Sequence, residues 1–274
     1  MKSLRKLVFL LLFLISSREA DSTHLMGGSL TYEHTGTGVS SYHVTLKIYR
    51  YCDQTNGNTA PLDGSMMLGV YTQDSLNASA PKDWYETDDM PIISQQFITP
   101  PNPSPNCTFT TTACVEEGIY ETDIFLPPNS GGYHLVVERC CRNGNIVNLS
   151  SPGDIGQTYY CFIPPSPVIN SSPVFPSIGV PFICIGDTFT VVNNATDPDG
   201  DVLEYALVTP YVGNSSSSIP TPDPQFDNNP YYMPINEALY SPGYSFTQPF
   251  GPGSYASIDA VTGQTSYSIP NQGF

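Results

Sequence analysis

The chain has 274 residues, nine Lys or Arg against 25 Asp or Glu, and a formal charge of −16 at pH 7. That length allows one large domain or two medium ones. The acidic balance disfavours nucleic acid and anionic lipid as partners, because both repel such a surface.

The N-terminus reads as a targeting segment rather than as part of the fold. Lys2, Arg5 and Lys6 form a basic patch, and residues 7–15 are an unbroken apolar run. The run is too short for a stable membrane-spanning helix but suits the apolar region of a secretory signal. Small residues at Ala20-Asp21-Ser22 offer a cleavage site. Residues 1–22 are therefore expected to be a signal peptide, with a signal anchor as the alternative. No later segment is apolar enough to cross a membrane, so the mature chain is expected to have no transmembrane span. Removing residues 1–22 takes away Lys2, Arg5, Lys6 and Arg18 with Glu19 and Asp21. Five basic and 23 acidic side chains remain, a formal charge of −18.

The periodicity that follows is that of strands. Residues 29–34 make the first candidate. Tyr42, Val44, Leu46 and Ile48 then alternate with His43, Thr45, Lys47 and Tyr49, the pattern of a strand with one buried face. Residues 67–72 and 119–126 are further strands. The turn residues Pro127 to Gly132 and a returning strand at 133–141 predict a hairpin with the 119–126 strand. A Pro-rich run marks a boundary at 163–176. Beyond it, strands are predicted at 182–185, 188–192, 202–208 and 255–258, and residues 256–270 read as strand, turn, strand. With 27 Pro and 22 Gly, the chain is broken too often for long helices.

Between Thr209 and Gly253 the periodicity is lost. Tyr231, Tyr232, Tyr240, Tyr244, Phe246 and Phe250 are scattered through that stretch. A loop this long is often functional, and Tyr and Asn suit adaptable, wet contacts such as those to sugars. The alternative is an aromatic-pinned loop that covers the edge of the sandwich.

The expected fold class is all-β, with two tandem β-sandwich domains. Residues 23–165 form a disulfide-braced sandwich, and residues 170–274 an Ig- or cadherin-like one lacking its closing strand. The chain is accordingly expected to be a fragment of a longer protein.

Seven cysteines in an exported chain point to disulfides. The candidates are Cys52, Cys107, Cys114, Cys140, Cys141, Cys161 and Cys184, and the odd count leaves one thiol over. Cys107 and Cys114 could close a small loop. Cys140 and Cys141 would face opposite sides of a strand, so each is expected to pair elsewhere, with Cys52 a reasonable partner for one.

The phrase Asp197-Pro198-Asp199-Gly200-Asp201 sets three carboxylates at alternate positions in a turn. Such oxygen ligands suit Ca²⁺, so Asp197, Asp199 and Asp201 are the candidate metal ligands and calcium the candidate cofactor. Asn170 and Asp187 could complete the shell. The alternative is an Asx-capped turn with solvated carboxylates. The sequence has four histidines: His24, His34, His43 and His134. None falls in a hydrolase motif, and His43 and His134 lie on the polar phases of strands. Adjacent acids such as Glu116-Glu117 and Asp88-Asp89 rarely aim at one substrate atom. No catalytic residue is assigned. Asn77, Asn106, Asn148, Asn170, Asn194 and Asn214 begin Asn-x-Ser/Thr triplets, which matter only in a host that glycosylates them.

Several phrases together carry a resemblance: Thr23-His-Leu-Met-Gly-Gly28, Tyr49-Arg-Tyr-Cys52, Cys114-Val-Glu-Glu-Gly-Ile-Tyr120 and Glu138-Arg-Cys-Cys-Arg-Asn143. With Asn170-Ser-Ser-Pro-Val-Phe175 and the acidic turn, they resemble the N-terminal region of large Bacteroidetes surface proteins. That family comprises gliding-motility-associated, type IX-secreted proteins with PKD-, Ig- or cadherin-like repeats. The resemblance implies export to the bacterial cell surface and a structural or adhesive role without established catalysis. The implied partners are surface glycans or other extracellular proteins, and no nucleic acid. The leading expectation is thus a non-catalytic surface module. A carbohydrate-binding module using the 209–253 loop is second, and a secreted hydrolase a distant third.

Overall fold

The computed structural model describes residues 25–36, 40–52, 61–72, 83–98, 114–175, 185–186, 188–213 and 235–270. The signal peptide, Cys107, Cys184, Tyr231, Tyr232 and most of the strand predicted at 182–185 lie outside the described residues. What is described is all-β, as the periodicity predicts. Seven strands come first: β1 Leu25–His34, β2 Ser41–Tyr51, β3 Ser65–Thr72, β4 Asp83–Ile98, β5 Val115–Phe125, β6 Tyr133–Arg139 and β7 Gln157–Ile163. Three short ones follow: β8 Thr188–Val192, β9 Tyr255–Ile258 and β10 Gln264–Ser268.

β2 shows why the pattern works. Its buried and half-buried residues alternate without a break, with Val44, Leu46 and Ile48 inside. Each fully buried aliphatic side chain of this kind stabilises the fold by roughly 1.5–3 kcal/mol. A shift of one residue in register would turn them all to water.

The seven strands form one antiparallel sheet in the order β1-β2-β5-β4-β3-β6-β7. The long strand β4 folds that sheet into two halves. Its first part, to Pro91, pairs with β3; its second part, from Ile92, pairs with β5. The register slips between Ile92 and Ser94, and the bulged Ile93 is turned out to solvent. Pro91, which has no N–H to give a ladder, stands at this corner, where a break in pairing costs least. The two halves face each other across a core that includes Leu30, Leu46, Met66, Leu68, Met90 and Leu135.

The far edges of the sheet meet. The Gln157 side-chain amide donates to the Leu25 carbonyl at 3.2 Å. Gly28 of β1 lies so near β7 that an added Cβ would stand 2.8 Å from the Tyr159 ring and 2.2 Å from the Lys47 carbonyl. Only glycine permits that approach.

The hairpin predicted across Pro127 to Gly132 does not form. The turn is there: Gly132 has φ +74°, and Asn129 Oδ1 accepts the Gly131 N–H at 2.7 Å. It joins two strands that are not neighbours, since β5 pairs with β2 and β4, and β6 with β3 and β7. The turn carries the chain across the sandwich rather than back along one sheet. β4 and β7 were not foreseen, and β6 stops at Arg139, two residues short of the predicted end.

In the second region the strand predicted at 188–192 is β8, and the strand–turn–strand at 256–270 is the β9–β10 hairpin. Its turn is drawn together by Asp259 Oδ1, which accepts the Val261 and Thr262 N–H groups at 3.0 and 2.7 Å. These strands make a three-stranded sheet in the order β8-β10-β9. The strand predicted at 202–208 keeps its alternation of exposure but joins no ladder, and Val202 is 98% exposed.

Disulfide pairing departs from both linkages proposed for these cysteines. Cys52 is bonded to Cys114, with Cα atoms 4.9 Å apart. The reason is the β2–β5 register: Tyr51 faces Val115, so the residues just beyond each strand end up side by side. Cys114 is thus not free to close a loop with Cys107. Cys140 and Cys141 are bonded to each other, not to partners elsewhere. The expectation that they face apart required a strand through both, and the strand ends before them. Among the described cysteines, Cys161 is the one that forms no disulfide; burial pushes its pKa well up.

Candidate functional site

Three places could carry function: the acidic turn, the surroundings of the paired cysteines, and a cleft between the two sheets.

The acidic turn is a clasp. Asp197 Oδ1 accepts the N–H groups of Asp199 at 2.9 Å and Asp201 at 3.1 Å, an Asx-type turn closed at Gly200, where φ is +84°. Asp199 reaches out of the turn, and its Oδ2 accepts the Ser171 N–H at 2.5 Å. Beside it, Val174 and Thr196 exchange two backbone hydrogen bonds of 2.9 Å. Residues 171–172 are bound in turn to β1. The Ser172 N–H donates to the Tyr32 carbonyl at 2.7 Å. The Tyr32 N–H donates to Ser172 Oγ at 3.0 Å, and the His34 N–H to Ser171 Oγ at 3.2 Å. A continuous chain of bonds therefore runs from the acidic turn through the lead-in segment to the edge of the first sheet. The turn collects N–H groups. Among the described residues, no three His, Cys, Asp or Glu side chains are grouped to hold a metal ion. The Asn170 amide nitrogen, in a residue suggested for the shell, donates to the Tyr32 hydroxyl at 2.8 Å, and Asp187 lies outside the described residues.

The Glu138-to-Asn143 phrase is a second joint. Arg139 holds Asp63 through two hydrogen bonds, of 2.6 and 3.1 Å. Arg142 is buried, and its guanidinium donates to the Gly156 carbonyl at 3.1 Å and the Tyr211 carbonyl at 2.7 Å. Burial pushes its pKa down. The described part of the 209–253 stretch is likewise held down. Leu149 bridges Tyr240, the Ser150 N–H donates to the Leu239 carbonyl at 2.8 Å, and the Asn148 amide donates to the Pro249 carbonyl at 3.1 Å. Among the described residues, this stretch is tied to residues 148–150 by these bonds.

His134 departs from its predicted surface position. It is buried, with Nδ1 2.8 Å from the Tyr160 hydroxyl and its ring tilted against Phe162. β6 lies between β3 and β7 and is covered on both faces, so its alternation carries no outside phase. Glu116 and Glu117 do point apart. Glu116 is buried against Arg50 and Gln95, while Glu117 lies on the opposite face.

That opposite face is the floor of a cleft of about 530 Å³ between the two regions. Lys47 and Tyr49 from β2, Glu117 from β5 and Ser29 from β1 form the floor. The register places Ser29 beside Lys47 and Tyr49 beside Glu117. Gln96 on β4 donates its side-chain amide to Glu117 Oε1 at 2.7 Å. Burial, and then the hydrogen bond to Glu117, push the Tyr49 hydroxyl well above the usual tyrosine range. The roof is Asn193, Tyr205, Leu207, Ile258 and Thr265. Tyr205 is fixed by its hydroxyl, which accepts the Ala195 N–H at 2.9 Å. Asn193 is fixed by an amide hydrogen bond of 3.0 Å to Thr265 Oγ1. Sequence reasoning missed this site. The available signal was a Lys and a Tyr on the outward phase of the best-defined strand.

Among the described residues, no helix is long and apolar enough to cross a membrane. Comparison with protein-family models, curated proteins and solved structures finds no match in any of the three.

Proposed function

We propose that the chain is an exported, non-catalytic module with a structural and adhesive role at a bacterial cell surface. The observation that carries this reading is the bond chain from Asp199 through Ser171 and Ser172 to Tyr32. It spends polar groups on joining two β-regions, which is what a surface spacer needs. Arg142 and the Leu149–Tyr240 bridge add a second joint. The disulfides fit an oxidising compartment outside the cytosol. The acidic turn contributes as a clasp, and calcium is not needed to close it.

Single-molecule stretching of the mature chain tests the reading. A spacer is expected to resist as one unit, and Asp199→Ala to split the trace into two events. Independent unfolding of the two regions in the parent protein would count against it. Turnover of any substrate in a broad glycosidase, esterase and peptidase panel would overturn the non-catalytic assignment.

A further inference from the structure

We infer that the cleft between the sheets binds an acidic saccharide, a short glycan carrying a uronate carboxylate, with Lys47 as its counter-ion. This names a ligand for the adhesive part of the reading above and rests on that part alone.

The first reason is the state of the cations. Four basic side chains lie among the described residues. Arg50 is engaged by Glu116, Arg139 by Asp63, and Arg142 by two backbone carbonyls. Lys47 forms no ion pair with any described residue, in a chain of formal charge −16. An ammonium left without a carboxylate on so acidic a surface is a selective attractor for one negative charge.

The second reason is the setting of that charge. The cleft volume, about 530 Å³, falls within the span of small-ligand sites and is far larger than a single ion needs. Glu117 does not compete for Lys47 as an open carboxylate, because it is 8% exposed and holds Gln96 and Tyr49. That contact also fixes the Tyr49 side chain, and a fixed aromatic ring suits the apolar face of a sugar. Asn193 gives its N–H to Thr265, which leaves its amide oxygen to accept from a hydroxyl. Exposed Glu204 at the rim is a second acceptor. A ligand that brings one carboxylate to Lys47 and many hydroxyl donors to Asn193 and Glu204 matches this set. An acidic peptide brings the carboxylate without those hydroxyls.

Calorimetric titration of the full mature chain with trigalacturonate, at low ionic strength, tests the assignment. Saturable binding is expected, at least tenfold tighter than for neutral galactotriose. Lys47→Gln should weaken it roughly tenfold or more, and Lys47→Arg should keep it within about threefold. Both variants should melt with the parent, since Lys47 makes no ion pair that folding needs. The assignment is overturned by no saturable trigalacturonate binding up to about 10 mM, by an equal loss for the neutral sugar in Lys47→Gln, or by tighter binding of a Glu-rich peptide. If trigalacturonate fails while the stretching result holds, only the ligand assignment falls.

Discussion

In the seven-stranded region Val44, Leu46, Met66, Leu68 and Val70 have 0% exposure, whereas in the three-stranded sheet only Ala256 and Thr265 among the strand residues are buried. The first region is held by a dense apolar core with a covalent tie between β2 and β5. The second holds its shape through turns closed by Asp197 and Asp259, and through its bonds to the first. The contrast teaches that one β-region can stand on its own burial while its neighbour is stable only as docked. Loss of a core feature should therefore unfold both regions, and loss of a docking bond should loosen only the second.

The largest expected effect is at Cys52. The Cys52–Cys114 bond spans a sequence separation of 62. In the chain-entropy account its loss costs about 4 kcal/mol. Cys52→Ser should lower the denaturant midpoint of the whole protein, with β8–β10 amides losing protection together with β2. If the second sheet survives that loss, the dependence is wrong.

Next is the buried pair Arg50–Glu116. Glu116→Ala removes the carboxylate from a buried guanidinium and should cost about 3 kcal/mol in equilibrium unfolding. The double replacement Arg50→Met with Glu116→Leu should recover most of that, because the cost lies in the buried charge and not in lost packing. Equal losses for the single and double variants would contradict this.

Asp199→Ala sharpens the comparison from the other side. It deletes the acceptor for the Ser171 N–H, and about 1–2 kcal/mol should be lost. Hydrogen exchange should speed up at residues 188–192 and 255–268 and stay unchanged in β2 and β5. Melting with calcium and with chelator should coincide in both parent and variant. A rise in melting temperature with calcium in the parent alone would restore the carboxylates as metal ligands.

The smallest effect is at His43, on the outer face of β2. Nδ1 lies 2.7 Å from Asp123 Oδ1 and Nε2 3.4 Å from Glu121 Oε2, with Glu33 its register partner on β1. The hydrogen bond to Asp123 raises its pKa most, burial opposes it next, and the charge of Glu121 adds to the rise. A raised folded pKa means the stabilisation is complete below the unfolded value of about 6.5 and is lost as pH rises through the folded value. Solvent screening limits it to a few tenths of a kcal/mol. His43→Gln should flatten that part of the stability–pH curve. A curve still sloping there in the variant would assign the slope elsewhere.

Much of the fold was legible in the residues. Alternation in residues 42–49 predicts β2 with its buried face, and Asp259 to Gly263 marks the turn of a real hairpin. The Asp-Pro-Asp-Gly-Asp phrase announces a turn, which it is. Composition and periodicity determine these because they are local: strand period, turn chemistry and the absence of long helices depend on neighbours in sequence. Partners across the fold are decided elsewhere. The missing β5–β6 pairing, the Cys52–Cys114 bond, the burial of His134 and the reach of Asp199 to Ser171 all depend on which segments become neighbours in space. The cleft is the strongest case. Lys47 and Glu117 are 70 positions apart, and Asn193 and Tyr205 come from the second region. Only the closing of one β-region over the other brings them together, because side-chain direction is set locally but proximity is set by packing.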